Sequence, residues 1–352
     1  MKDSAPGPAS GPVLQGALCA TLPRDCLDAL PSETHLLLLR EAALEGWPLG
    51  AEEDSPGLLE GQPAWRRELP AEAAAAADLP LVPGGYVAPR PPFFTPLPDA
   101  LQARQLALGH EHAVLRSAAG TVFSWGGGRH GQLGHGELES GPEPRLVEAL
   151  HGILVVAVSA GGWHSTAVSE TGDLYVWGWN ESGQLALPSK AVAESQAAAP
   201  VDVSSGEVPQ AQRPSLEAEA EDVELQVGQQ QVVEDRVGGE AGFISVQALP
   251  ALLDMPHGAE VSRASCGSRH TAAVTSTGEL YTWGWGKYGQ LGHGDTVSSD
   301  QPRRVRYFAE RGLRVADVVC GPWSTYIHAV EQQHREDGGR LERKPLLRDG
   351  PR

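Results

Sequence analysis

Cysteine is scarce in this chain: Cys19, Cys26, Cys266 and Cys320 are the whole complement, with no CxxC pair among them. That excludes a disulfide framework and a zinc ribbon, and it fits a reducing compartment. Long apolar runs are missing as well. The longest near the start, around Gly16 to Leu22, is broken by polar residues and has no basic flank, and no stretch approaches the roughly 20 residues of a membrane-spanning helix. Positive charge is in deficit, with 27 Lys and Arg against 45 Asp and Glu and a formal net charge of -18. Such a balance repels phosphate backbones, so direct nucleic-acid binding is not expected. It suits a basic partner such as a histone tail, although a solvated acidic surface would have the same composition. No Lys/Arg-rich cluster of the nuclear-import kind stands out, which leaves nucleus and cytosol both open.

What the sequence has is repetition. Three segments superimpose almost residue for residue: Leu108 to Gly136, Ala160 to Leu187 and Ser265 to Gly294; a fourth, Val318 to Val330, matches their opening part. Gly109 to Gly161 and Trp125 to Trp177 are both 52 residues apart, and Gly267 to Gly321 is 54, so the likeness is periodic. Trp177 to Trp283 is 106, twice the period. The flanking landmarks explain the double interval. Gly136 leads to Pro144, Arg145 and Val147, and Gly294 to Pro302, Arg303 and Val305; in the middle copy the matching pieces are Gln184-Leu185 and the apolar run Phe243 to Leu253. The surplus, Ser189 to Gly242, therefore reads as an insertion. It is low-complexity chain with an acidic stretch, Glu217 to Glu224, and it is expected to be disordered because it has too little apolar surface to offset ordering entropy.

Within each repeat the pattern is strand upon strand. Thr121 to Trp125, Leu174 to Trp177 and Leu280 to Trp283 are short, β-branched and aromatic, and each follows an Ala-Gly or Thr-Gly turn. The strand before the turn supplies a hairpin partner, and the Pro-Arg-x-Val segment supplies an outer strand, where proline is tolerated. Three or four strands per unit of about 50 residues is the arithmetic of a propeller blade, so the fold class is all-β, a β-propeller.

The pattern G-x-x-H-[ST]…G-x-[LV]-[YF]-x-W-G-x-[GN]-x-x-G-Q-L-G resembles the repeat of the regulator-of-chromosome-condensation family. The resemblance implies a propeller of about seven blades, incomplete or partly degenerate here. It also implies a non-catalytic scaffold in chromatin regulation and chromosome segregation that binds a JmjC-type histone demethylase or hydroxylase, influences histone methylation and meets histones. Guanine-nucleotide exchange on a Ran-like GTPase is the rival that the same resemblance implies. The final repeat stops at Val330 without a W-G…G-Q-L-G half, and no such motif lies upstream, so the sequence reads as an N-terminally shortened propeller lacking its closing strands.

The expected organisation is a flexible tail over 1–12, degenerate blades and a Pro-rich strap over 13–107, repeats over 108–188, the acidic insert over 189–242, repeats over 243–330 and a second tail over 331–352. Leu36 to Trp47 has the shape of a decayed hairpin, with a short helix as the competing reading. Ala71 to Ala77 is helix or linker, and Pro83 to Pro98 is an extended strap over the propeller side, because proline opposes helix and central strand.

Several constellations imitate active sites. Gly126 to Gly131 and Gly284 to Gly289 have GxGxxG spacing, but a second turn follows where a dinucleotide site needs a helix N-terminus. His135 pairs with His293 and His164 with His270 as repeat equivalents, so they lie in different blades and serve structural hydrogen bonds. His110 and His112 are the best two-ligand pair, short of the three or four ligands of a metal site. Ser165, Thr271 and Ser324 follow the Gly-x-x-x pattern, beside a histidine in two copies, but without an elbow or an orienting acid. No catalytic, metal or cofactor residue is assigned, and no cofactor or membrane partner is expected. Trp125, Trp177 and Trp283 are assigned to blade contacts. The candidate protein-binding face consists of turn residues where the repeats differ, Arg129, His130, Asn180, Glu181, Lys287 and Tyr288, with the indoles Trp163, Trp179, Trp285 and Trp323.

Overall fold

A computed structural model of the chain describes residues 77–197 and 242–331 continuously, and most of residues 12–49 and 62–74. Antiparallel sheets follow one another along it. A hairpin of β1 (Pro12–Gln15) and β2 (Leu18–Thr21) precedes a four-stranded sheet of β3 (Cys26–Pro31), β4 (His35–Arg40), β5 (Ala43–Pro48) and β6 (Trp65–Glu68). A three-stranded sheet comes next, from β7 (Leu81–Val82), β8 (Gly85–Val87) and β9 (Phe94–Pro96).

The repeats then form three four-stranded meanders. Their strands are β10 (Ala103–Leu108), β11 (His112–Ser117), β12 (Val122–Gly126) and β13 (Gly141–Leu146); β14 (Val155–Ala160), β15 (His164–Ser169), β16 (Leu174–Trp179) and β17 (Val246–Leu253); and β18 (Val261–Cys266), β19 (His270–Thr275), β20 (Leu280–Gly284) and β21 (Ser299–Arg304). The hairpin of β22 (Leu313–Cys320) and β23 (Thr325–Glu331) ends the described chain.

Side chains on a strand alternate between its two faces, and the second strand of each meander is buried on both. On β11, Ala113 and Leu115 pack with Trp125 and Leu81, whereas Val114 packs with Val155, Val158 and Trp177 of the next sheet. On β19, Ala273 packs backward with Trp283 and Leu174, and Ala272 and Val274 pack forward with Val315 and Val318. The sheets therefore stack face against face in chain order as propeller blades. Main-chain hydrogen bonds add to the stack: Val155, Val261 and Val315 donate to the carbonyls of Gly120, Gly172 and Gly278 in the preceding sheet, at 3.1, 2.8 and 2.9 Å. Prolines 142, 144, 250 and 302 all lie on β13, β17 and β21, the outer edges, where a missing N–H costs no ladder bond.

Three expectations change in detail. Leu36 to Trp47 is a hairpin, β4–β5, inside a complete four-stranded sheet. The Pro-rich strap is instead the meander β7–β9, since Pro83, Pro91 and Pro92 fall in its turns and β8 contains none. The segment expected to be disordered from Ser189 opens with helix α1 (Lys190–Ala197), whose Val192 is buried. Ser189 donates its N–H to Asp300 at 2.9 Å, which ties this start to the outer edge of the following sheet. The rest of that segment, with its acidic stretch, lies outside the described residues, as do nearly all of the tails at 1–12 and 331–352. At Ala71 to Ala77 the described residues include one helical hydrogen bond, Ala74 to the Pro70 carbonyl.

Candidate protein-interaction face

The motif residues meet between sheets. His112 Nε2 lies 2.8 Å from Ser165 Oγ, His164 Nε2 2.9 Å from Thr271 Oγ1 and His270 Nε2 3.0 Å from Thr325 Oγ1, each hydroxyl belonging to the next sheet. Those hydroxyls donate back to the main-chain carbonyls of Gln132, Gln184 and Gln290 at 2.8, 2.7 and 2.8 Å. The indole N–H groups of Trp177 and Trp283 reach the first two of these carbonyls at 2.8 and 2.9 Å. A hydroxyl has one proton, here given to a carbonyl, so each imidazole is the donor through Nε2. Burial pushes His112 and His164 down to about 3 and His270 to about 4. An imidazole that donates to a hydroxyl has the opposite polarity to a general base, which disposes of the nucleophile reading.

The glycine of G-x-x-H follows from the same packing. A Cβ on Gly109, Gly161 or Gly267 would stand 2.3, 2.6 or 2.1 Å from Cε1 of the histidine three residues on, closer than any real contact. A second pairing joins His135 Nε2 to Ser124 Oγ at 3.1 Å and His293 Nε2 to Thr282 Oγ1 at 2.9 Å. In the middle repeat both partners are apolar together, as Val176 and Leu187, packed in one cluster. Burial also pushes the Cys266 thiol up to about 11, which keeps it protonated and unreactive. Among the described residues no group of three or more His, Cys, Asp or Glu is placed to hold a metal.

The loop joining the first and second strands of each meander and the loop joining its third and fourth open at the same end, because His112, His164 and His270 pair with Gly126, Gly178 and Gly284. This common end is the turn face. Two aromatic groups stand on it. In the first, Trp163 and Trp179 meet edge to face at 5.4 Å, with His130 at 6.0 and 5.3 Å from them and the Arg269 guanidinium 4.6 Å over the Trp179 ring. In the second, Trp285, Tyr288 and Trp323 make three mutual contacts. Arg129 is exposed and pairs with Glu111 at 2.8 Å.

The sequence signature described as "Regulator of chromosome condensation (RCC1) repeat" matches residues 119–168, 171–211 and 277–327, and a second signature of that description matches 155–184 and 261–290. The human "RCC1 domain-containing protein 1" is 52% identical over 323 residues, covering 87% of this chain and 80% of the human protein. The chain belongs to the RCC1-repeat family. The mouse protein of the same name is 48% identical over 325 residues, again covering 87% of this chain and 80% of its own length. Among solved structures, Prp20p of Saccharomyces cerevisiae, described together with its binding properties to Gsp1p and histones, superimposes with a TM-score of 0.50 at 18% identity. That likeness covers 89% of this chain and 58% of Prp20p, and it shows the fold.

Within the RCC1 repeats the predicted residues separate. Trp125, Trp177 and Trp283 lie between blades; Trp177 and Trp283 are fully buried, and Trp125, lacking a glutamine carbonyl before it, turns its N–H to the Tyr86 hydroxyl at 3.4 Å. Arg129, Glu181, Lys287 and Tyr288 are exposed, and His130, Trp163, Trp179 and Trp285 are half-buried on the same face. Asn180 is corrected: it is fully buried, and its amide donates to the carbonyls of Leu187 and Ile244 at 2.9 and 2.8 Å while accepting from Leu185 N–H. Its repeat equivalents are Gly128 and Gly286, enclosed positions where a Cβ would strike Glu139 and Val297. The true equivalent of His130 and Tyr288 is Ser182, since all three main-chain N–H groups cap a glutamine side chain at 2.9, 2.9 and 3.0 Å. Sequence reasoning missed Arg269. The available signal was its alignment, third in G-x-x-H like Trp163 and Trp323.

Proposed function

We propose that this RCC1-repeat propeller is a non-catalytic adaptor in chromatin regulation and chromosome segregation, acting in the nucleus or cytosol. It holds a JmjC-type oxygenase and meets histones through the turn face, and so influences histone methylation. The observation that carries this reading is a division of labour. Residues that repeat are consumed in buried links between sheets, whereas the residues that vary between repeats gather, exposed or half-buried, at one end. Such variation on a fixed scaffold makes a binding surface rather than a reaction centre. The net charge of -18 supports basic partners. Two further findings support it: the shared name of the human and mouse relatives, and the histone binding described for Prp20p.

The test is co-elution of the purified chain with a purified JmjC-type oxygenase in size-exclusion chromatography. The Arg129→Glu, Trp179→Ala double variant, still folded by thermal unfolding, is expected to elute apart from it; unchanged co-elution would remove the turn face from the reading. Nucleotide exchange on a Ran-like GTPase is the second reading, supported by the Gsp1p binding described for Prp20p. Release of a mant-labelled nucleotide from such a GTPase would establish it.

A further inference from the structure

The two aromatic groups of the turn face occupy equivalent junctions, one blade apart. At the first, the indole two residues after the blade tryptophan, Trp179, lies under the guanidinium of Arg269, the third residue of the next blade's G-x-x-H segment. At the second, the equivalent indole is Trp285 and the equivalent of Arg269 is Trp323. The cation of the first junction is thus replaced by a second indole, and Tyr288 stands beside both. Ring centroids are 4.7 Å apart for Trp285 and Tyr288, 5.1 Å for Trp285 and Trp323 and 6.0 Å for Tyr288 and Trp323, at interplanar angles of 88°, 65° and 81°. Tyr288 is 69% exposed and Trp323 43% exposed, large apolar area for a loop to leave in water.

We infer that Trp285, Tyr288 and Trp323 form a docking point for an arginine side chain of a basic partner segment. The inference rests on the adaptor reading and names the chemistry of one contact within it. Aromatic faces attract cations through their quadrupole, and the planar guanidinium both stacks and keeps its charge. The molecule contains its own precedent one junction earlier, where the occupant is a guanidinium. The acidic balance of the chain, 45 Asp and Glu against 27 Lys and Arg, draws a cationic segment toward it. The neighbouring Lys287 is turned onto α1, its Nζ 3.3 Å from Ser195 Oγ. A neutral apolar side chain would use the rings but not the charge, which makes the two occupants separable.

The experiment uses the full chain and a fluorescent peptide of about twelve residues carrying three arginines among glycine and serine, followed by anisotropy. Its counterpart carries citrulline, which has nearly the same shape and no charge. The arginine peptide is expected to bind about tenfold or more tightly than the citrulline peptide. Tyr288→Ala, Tyr288→Leu and Trp323→Ala should each weaken the arginine peptide about five- to tenfold. Tyr288→Leu decides the matter if Trp323→Ala proves unfolded in a melting curve, because Tyr288 is a surface residue. Three results overturn the inference: equal affinity for citrulline, binding indifferent to the Tyr288 variants, or no binding of the arginine peptide. Co-elution with the oxygenase that survives Tyr288→Leu, together with any of these, would remove the arginine site and leave the adaptor reading standing. Failure of the parent chain to co-elute with the oxygenase, with the arginine peptide still bound as expected, would do the reverse.

Discussion

The sheet β3–β6 and the repeat sheets share a topology but direct their polar bonds differently. Trp47 ends the third strand of its sheet as Trp125, Trp177 and Trp283 end theirs, yet its indole N–H stays at home, 3.1 Å from Glu45 Oε2. Glu45 is 2% exposed and is held by Arg40 at 3.2 Å and Arg66 at 2.9 Å, from the strands on either side. In the repeats the corresponding bonds cross to the neighbouring sheet. What the two regions have in common is a second strand apolar on both faces: Leu36 and Leu38 pack to one side of β4, Leu37 and Leu39 to the other. A blade therefore needs the doubly buried strand, and the repeat motif serves the junction between blades.

Substitutions can break or sharpen that contrast. The largest effect is expected for Trp177→Ala, which empties a fully buried site and removes one of the two donors to the Gln132 carbonyl; it should cost about 4 kcal/mol in denaturant unfolding. Trp47→Ala should cost clearly less, and equal losses would erase the distinction. Glu45→Ala should follow at about 2 kcal/mol, since it takes the acceptor from the buried Trp47 N–H and the shared partner from two part-exposed arginines. Hydrogen exchange should place that loss in β4–β6 and spare β14–β21; a loss spread over all sheets would contradict the self-contained character of the first.

Acid offers the third test. Folded-state values of about 3 to 4 lie below the ordinary 6.5 of an unfolded histidine, so the unfolded chain takes up more protons once pH falls below 6.5. The contribution is fully present above pH 6.5 and is lost as pH falls toward the folded values. Lowering pH from 7 to 5.5 should cost about 1 kcal/mol for each of these imidazoles. His164→Gln, which retains an N–H donor, should show a shallower dependence of stability on pH than the parent; an unchanged slope would mean that His164 titrates alike in the folded and unfolded chain. The smallest effect concerns the middle repeat, where Ala186 at φ 56° stands where Gly134 and Gly292 sit at 77° and 73°. Ala186→Gly should stabilise by about 0.5 kcal/mol, whereas Gly134→Ala, whose Cβ would lie 2.9 Å from Trp177 Nε1, should destabilise.

The repeats were legible because the motif has fixed spacing, and a fixed spacing comes from residues that must touch: Gly under His, Gln before Leu. The sheet β3–β6 was half legible, as the hairpin Leu36 to Trp47, because its fourth strand, Trp65–Glu68, is one indole followed by three charged residues, with no apolar alternation. Reading Pro83 to Pro98 as a strap weighed the number of prolines over their positions, which fall in turns. Asn180 reads as a surface residue because the repeats differ at that turn. The glycines aligned with it mark a crowded position, and an asparagine there has to be enclosed and bonded. Arg269 was hidden by the same habit, since its role appears only when a charged residue is compared with the indoles that share its place.

The relay of imidazole, hydroxyl and carbonyl takes its first and last members from one sheet and its middle member from the next. What the sequence copies is accordingly a seam, and the cloth on either side is free to change. A transplanted repeat would be joined correctly to any neighbour that offers the complementary half, whatever its outward loops carry, which is how one thread pattern can border surfaces of quite different character.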